Sequence, residues 1–150
     1  MAGDARLLFV PLGSNPARPF GMDARERACR LAANAGFECA EAAPNNRAAL
    51  IASMAYAWDP AWLKAMRARP KAVLTLGGKP VMAHIPDGEE PAHAVTAMES
   101  GTPIDGYEEL AAENARLSYA ELRKRDRPFV MPLDPSDTER VERAAYDAAY

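Results

Sequence analysis

The chain is poor in the features by which proteins are most readily sorted. It has two cysteines, Cys29 and Cys39, which make no disulfide framework in a chain of 150 residues. Its two histidines, His84 and His93, are nine positions apart with no cysteine nearby, so no zinc pattern exists and no metal site is expected. Aromatic residues are only 7% of the chain, which leaves Ala, Val, Leu and Met to fill the interior. Even a stretch as free of charge as Ala48 to Trp58 is far too short to span a bilayer. Asp4 and Arg6 interrupt the opening segment, so it does not read as a secretion signal. A net charge of −3 argues against a general nucleic-acid binder. No internal repeat or low-complexity linker is present. What is there, 49% hydrophobic and 26% charged residues, suits one soluble cytosolic domain with a sizeable core.

The small net charge hides an asymmetry. Residues 1–75 carry ten basic and six acidic side chains, whereas residues 76–150 carry eight basic and fifteen acidic. A positive face in the first half would suit a phosphorylated ligand. Scattered, solvated charge is the plainer account.

Leu7 to Val10 is a short β-favouring run ended by Pro11 and reads as a buried strand. A loop dense in turn residues follows, Pro11 to Pro19. Asp23 with Glu26 forms a capping box for a helix whose buried stripe is Ala28, Leu31, Ala32 and Ala35, with Gly36 as its stop. Phe37 to Ala42 reads as a second strand. Asn46 to Tyr56, rich in Ala and Leu, reads as a helix, and Asp59-Pro60 opens another that ends before Pro70. Trp58 and Trp62, four apart, are expected on one helix face. Val73 to Leu76 and Val81 to Ile85 flank Gly77-Gly78 and read as a tight strand-turn-strand unit. A helix over 89–99 closes at Gly101. Tyr107 to Arg125 reads as a long polar helix with a thin stripe of Leu110, Leu117 and Ala120. Phe129 to Met131 is a short strand, and Ser136 with Glu139 opens a last helix. The chain ends inside that helix, which suggests a truncation ahead of further sequence. Strands alternating with helices favour a layered α/β fold with a mostly parallel sheet, which takes ligands at the carboxyl ends of its strands.

Two segments offer chemistry. In the loop after the first strand, Gly13, Ser14, Asn15 and Arg18 can supply backbone N–H groups, a hydroxyl and a cation to a phosphate. The loop lacks the second glycine and the Lys-Ser/Thr pair of a P-loop, and it is no dinucleotide fingerprint, so a structural turn is the alternative. Arg123, Lys124, Arg125 and Arg127 crowd four cations into five positions. They can hold a phosphate, an anionic membrane surface or acidic side chains. The alternative is a solvated helix end favoured by the helix dipole. Other groups read as structural. His84 is a strand histidine, and Cys29 a small buried thiol despite Arg25 and Arg30 on its helix. Asp87, Glu89 and Glu90 form a solvated acidic run. No serine has the setting of a nucleophile elbow.

The stretches LLFVPLGSNPAR, GMDARERACRLAANAGFE, WDPAWLKAMRARPKAVLTLGGKPVMAHI and ELRKRDRPFVMPL cover somewhat more than half the chain. In pattern and order they resemble the soluble, nucleotidyltransferase-like amino-terminal region of some CDP-alcohol phosphatidyltransferases. The resemblance implies a three-layer, Rossmann-like nucleotidyltransferase-type fold with a mostly parallel mixed sheet. It implies nucleotide or polyol-phosphate binding at the loop holding Gly13 and Arg18. Active members carry a lysine in that loop and a metal-binding Asp at a following strand end. Here no lysine precedes Lys64, and Ser53, Met54 and Ala55 stand in the neighbourhood of the Asp. Without them the triphosphate charge is not neutralised and Mg²⁺ lacks its oxygen ligands. The resemblance therefore implies a degenerate domain without catalytic residues or a cofactor, within a phospholipid-synthesising transferase. Its membrane part, in the inner membrane, would follow residue 150. That part's own signature is absent, since Asp105-Gly106 is followed by Tyr107-Glu108. The cations at 123–127 would then lie against anionic lipid. Two alternatives stand beside this one. The first is an active CTP:polyol-phosphate cytidylyltransferase using Mg²⁺. The second is a regulatory or homodimerising module with no small-molecule site.

Overall fold

A computed structural model describes residues 7–114 and 128–149. Its centre is a six-stranded mixed sheet in the order β2-β1-β3-β6-β5-β7. The strands are β1 (Leu8–Leu12), β2 (Glu38–Cys39), β3 (Ala49–Ser53), β5 (Ala72–Leu76), β6 (Lys79–Ile85) and β7 (Glu108–Ala111). Pairing is parallel between β1 and both its neighbours and between β5 and β7, while β6 runs against β3 and β5. A separate two-stranded ribbon pairs β4 (Tyr56–Trp58) with β8 (Val130–Pro132) in antiparallel fashion. Four α-helices complete the described residues: α1 (Ala24–Asn34), α2 (Ala61–Arg67), α3 (Ala92–Ser100) and α4 (Thr138–Ala149). The chain is thus α/β, as its alternation of elements implies.

Alternate residues along a strand point to opposite faces of a sheet, and both faces here are covered. Phe9, Leu50, Ala52, Leu74 and Met82 pack with Ala28 and Ala32 of α1 and with Trp62, Leu63 and Met66 of α2. Val10, Ile51, Val73, Ala83 and Ile85 pack with Ala94, Ala97 and Met98 of α3. Strands buried on both faces read as continuous apolar runs without period-2 alternation.

Local signals fix several elements. Asp23 Oδ1 accepts from the N–H groups of Arg25 (3.0 Å) and Glu26 (3.1 Å) at the start of α1. Past its end Gly36 adopts φ +91, which lets the Phe37 N–H return to Ala32 O (2.9 Å). Asp59 Oδ1 caps α2 by accepting from Ala61 N–H (3.0 Å). Gly77 and Gly78, at φ +59 and +80, close the β5–β6 hairpin, a turn that needs positive φ at both central positions.

Other segments depart from the sequence reading. Residues 46–56 are not a helix: Ala49 to Ser53 form β3 in the middle of the sheet, and Tyr56 begins β4. Three of the five β3 residues are Ala or Ser, and tertiary burial overrides their weak strand preference. The long helix expected over 107–125 gives way at its start to the edge strand β7, and 115–127 lie outside the described residues. The second strand shrinks to Glu38–Cys39. Trp58 and Trp62 share a core cluster but not a helix, since they lie on β4 and α2. Ser136 does not cap α4; its hydroxyl donates to Asp134 Oδ1 (2.8 Å), and the helix starts at Thr138. Cys29 and Cys39 are disulfide-bonded, with Cα atoms 5.7 Å apart, so Cys29 is not a free thiol. Glu89 is not merely solvated, because it pairs with Lys71 (2.8 Å) and accepts from the Tyr107 hydroxyl (3.0 Å).

Candidate functional site

Leu12, the last residue of β1, stands in register with Ser53, the last of β3. The loop that leaves β1 therefore lies beside the Met54-Ala55 turn, at the sheet edge where α/β folds commonly place ligands. Met54 N–H donates to Leu12 O (2.9 Å) and locks the two strand ends together.

The four expected loop residues are placed there, in different circumstances. Asn15 is the tie of the loop: its Nδ2 donates to Met54 O and Leu133 O, both at 2.9 Å, and its Oδ1 accepts from Ala17 N–H (2.9 Å). Its amide is committed to backbone on three segments. Gly13, at φ +83, has its carbonyl engaged by Arg25 Nη1 (2.7 Å), which also donates to Pro11 O (3.0 Å). Arg18 is exposed and donates to Gly21 O (3.1 Å), closing a short turn over Pro19–Gly21. Ser14 is exposed. The Ser53-Met54-Ala55 end of β3 carries no carboxylate, and the next one along the chain, Asp59, serves as the cap of α2. Burial raises the Asp59 carboxyl above its ordinary value, opposed by backbone hydrogen bonds from Ala61 and Phe129. The cations at 123, 124, 125 and 127 lie outside the described residues.

Beyond Arg18 the loop turns through Phe20, a non-glycine residue at φ +55. Its N–H donates to Glu142 Oε2 of α4 (2.6 Å), and its ring lies over the Arg27 guanidinium at 5.4 Å. Behind this corner a small cleft opens between α1 and the β4–β8 ribbon. It is lined by Ala24, Arg27 and Leu31 of α1, Met54, Trp58 and Leu133, among others, and has room for about one water (about 20 Å³). Burial pulls the Arg27 guanidinium below its usual value, and the Glu142 carboxylate opposes that pull. Trp58 is 3% exposed, and its indole Nε1 has no hydrogen-bond partner among the described residues.

The loop was visible in the sequence, but the cleft was not. Its one available signal is that Arg27 falls three residues after Ala24 and four before Leu31, a cation on the stripe that should be apolar. His84, by contrast, is a structural histidine: it is 4% exposed, and its Nδ1 lies 2.7 Å from Met66 O. No helix among the described residues is long and apolar enough to cross a membrane. No protein-family model matches the chain, and no curated protein sequence matches it significantly.

Proposed function

We propose that the chain is a nucleotidyltransferase-like domain of Rossmann-like architecture that has lost nucleotide transfer and serves as the soluble portion of a CDP-alcohol phosphatidyltransferase. The reading begins from the sequence stretches that resemble that group. One structural observation carries its second half. At the joined ends of β1 and β3, where a triphosphate and its metal would be held, neither Leu12 to Asn15 nor Ser53 to Ala55 includes a carboxylate, and the side chains of Asn15 and Arg25 are tied to backbone. Transfer of a nucleotidyl group requires developing phosphate charge to be neutralised by cations and a metal. Arg25 is held by Pro11 O and Gly13 O, and Asn15 by Met54 O and Leu133 O, so neither is poised for that role. The interior position of β1, flanked by parallel strands on both sides, also supports the reading.

In this proposal the domain sits on the cytoplasmic side of an inner-membrane enzyme of phospholipid synthesis. Any residual affinity is for a nucleotide or polyol phosphate at Gly13, Ser14 and Arg18. The cations at 123, 124, 125 and 127 face anionic lipid.

The test is pyrophosphate release from CTP and Mg²⁺ with a phosphorylated polyol, alongside calorimetric titration with CTP and CDP. The expected outcome is no turnover. Turnover above the uncatalysed rate would make the domain an active cytidylyltransferase. Silence in calorimetry as well would favour an interaction module without a small-molecule site.

A further inference from the structure

The seam between α1 and the edge strand β2 is held mainly by a covalent bond. Cys29 of α1 is joined to Cys39 of β2. The two residues stand in unlike surroundings: Cys29 packs half-buried against the core cluster under α1, whereas Cys39 is exposed at the border of the sheet. Little else fastens β2. Its two residues are both exposed, and here β1 accepts from Glu38 N–H at Leu7 O (3.0 Å) and from Ala40 N–H at Phe9 O (2.9 Å). The Arg47–Glu38 ion pair (3.4 Å) lies at the surface, where such pairs contribute little. In the loop that follows, Ala40 and Ala43 pack half-buried against the core. The helix, by contrast, has other anchors. Asp23 caps α1, Ala28 and Ala32 are buried, and Phe37 just beyond it is 1% exposed with its ring edge-on to Phe9. β1 also has its pairing with β3 from Leu8 to Leu12.

We propose that Cys29–Cys39 is a reversible redox site: a dithiol reductant opens it in the native chain by attack at Cys39, and opening frees β2 from the sheet while the rest stays folded. A thiolate of the reductant attacks the Cys39 sulfur and forms a mixed disulfide there. The Cys29–Cys39 bond breaks, and the Cys29 sulfur leaves with the electron pair and takes up a proton. The reductant's second thiolate then attacks its own sulfur in the mixed disulfide and expels Cys39 as a thiolate, which is protonated. The protein gains two electrons and two protons, and the dithiol becomes a cyclic disulfide. Access selects the sulfur attacked, because Cys39 faces solvent and Cys29 faces the core. Closure is equally provided for. The helix fixes Cys29, and buried Phe37 pins the chain two residues before Cys39, so the freed thiols remain neighbours. Cα atoms 5.7 Å apart lie within the ordinary range for a bridge, so the bond asks no unusual approach of the backbone. Oxidised glutathione restores the bond by the same exchange and leaves as two glutathione thiols. Opening bares the margin of β1 at Leu7 O and Phe9 O, on a strand otherwise interior to the sheet. None of this depends on a relation to nucleotidyltransferases.

The test follows reduction of the full chain by dithiothreitol without denaturant, with free thiols trapped by iodoacetamide and counted by mass spectrometry. The rate should rise in proportion to reductant concentration, as direct attack requires. The reduced chain should retain the near-ultraviolet circular dichroism of buried Trp58 and Trp62. In hydrogen exchange it should lose protection at the Glu38 and Ala40 amides and keep it at Phe37, whose N–H bonds Ala32 O. Oxidised glutathione should restore both the bond and the lost protection. Cys29→Ser should take up glutathione at Cys39 faster than Cys39→Ser does at Cys29. A reduction rate that levels off at the unfolding rate would show that the bond opens only when the chain unfolds, and would overturn the proposal. Loss of the near-ultraviolet signal on reduction would make the bond a staple of the whole fold. Undisturbed amides at Glu38 and Ala40 would show that β2 does not need it. Equal or faster uptake by Cys39→Ser would contradict attack at Cys39. Each of these results also overturns the proposal, and the first three use the unaltered chain, so none of those depends on the folding of a variant.

Discussion

Single side chains decide how the loop after β1 is held. Asn15 alone joins three backbone segments, at Met54, Leu133 and Ala17. Asn15→Ala leaves two carbonyls and one N–H without partners in a part-buried place, and should destabilise the chain by about 2–3 kcal/mol in urea denaturation. Asn15→Asp keeps the acceptor for Ala17 but loses both donors, so most of that loss should remain. His84 sets a pH dependence. Burial lowers its imidazole below the ordinary value, opposed by the hydrogen bond to Met66 O. The folded chain therefore holds it neutral, while the unfolded chain takes up a proton as pH falls below about 6.5. The stabilisation is complete above that pH and is lost progressively as the pH drops toward the lowered folded value. Denaturant midpoints measured between about pH 7 and pH 5 should fall with pH, and His84→Asn should flatten that slope.

Between elements, two contacts fasten α1 to its surroundings. Arg67 of α2 donates to Ala35 O beyond the end of α1, and its guanidinium lies 4.5 Å from the Phe37 ring centroid. Cys29 on α1 is bonded to Cys39 on the edge strand β2. A crosslink closing a loop of this length stabilises by about 2–3 kcal/mol in the chain-entropy view. Dithiothreitol, or the Cys29→Ser/Cys39→Ser pair, should lower the melting temperature accordingly, with the two treatments not adding to one another. Gly78, at φ +80, admits no β-branched residue without strain, so Gly78→Val should cost at least about 1 kcal/mol by the same measurement.

The elements that were legible in the sequence are those bounded by such chemistry. Asp23 and Gly36 delimit α1, Asp59 caps α2, and Gly77-Gly78 turns β5 into β6. Those that were not legible carry no local signature. β3 is an Ala-rich run made a strand by neighbours on both sides, and β7 is a charged sheet margin whose Glu108 and Glu109 hide its nature. Of the candidate region, the polar loop could be read because turn residues announce themselves. The cleft could not, because Arg27 of α1 and Trp58 of β4 come to line it only after the two elements have packed.

At the scale of the molecule, the reversed direction of β6 has a consequence for cooperativity. Strands β2, β1 and β3 form one co-directional set, and β5 and β7 another; β6 is the seam at which both are stitched. Its amides should be among the last in the molecule to exchange with deuterium, escaping only when the entire chain opens. A proline at Ala83, which pairs with Ile51 on one side and Val73 on the other, should disconnect the two sets together rather than fray one margin. Loss of tertiary structure would then be global, although the substituted position is a single small residue far from either border of the sheet.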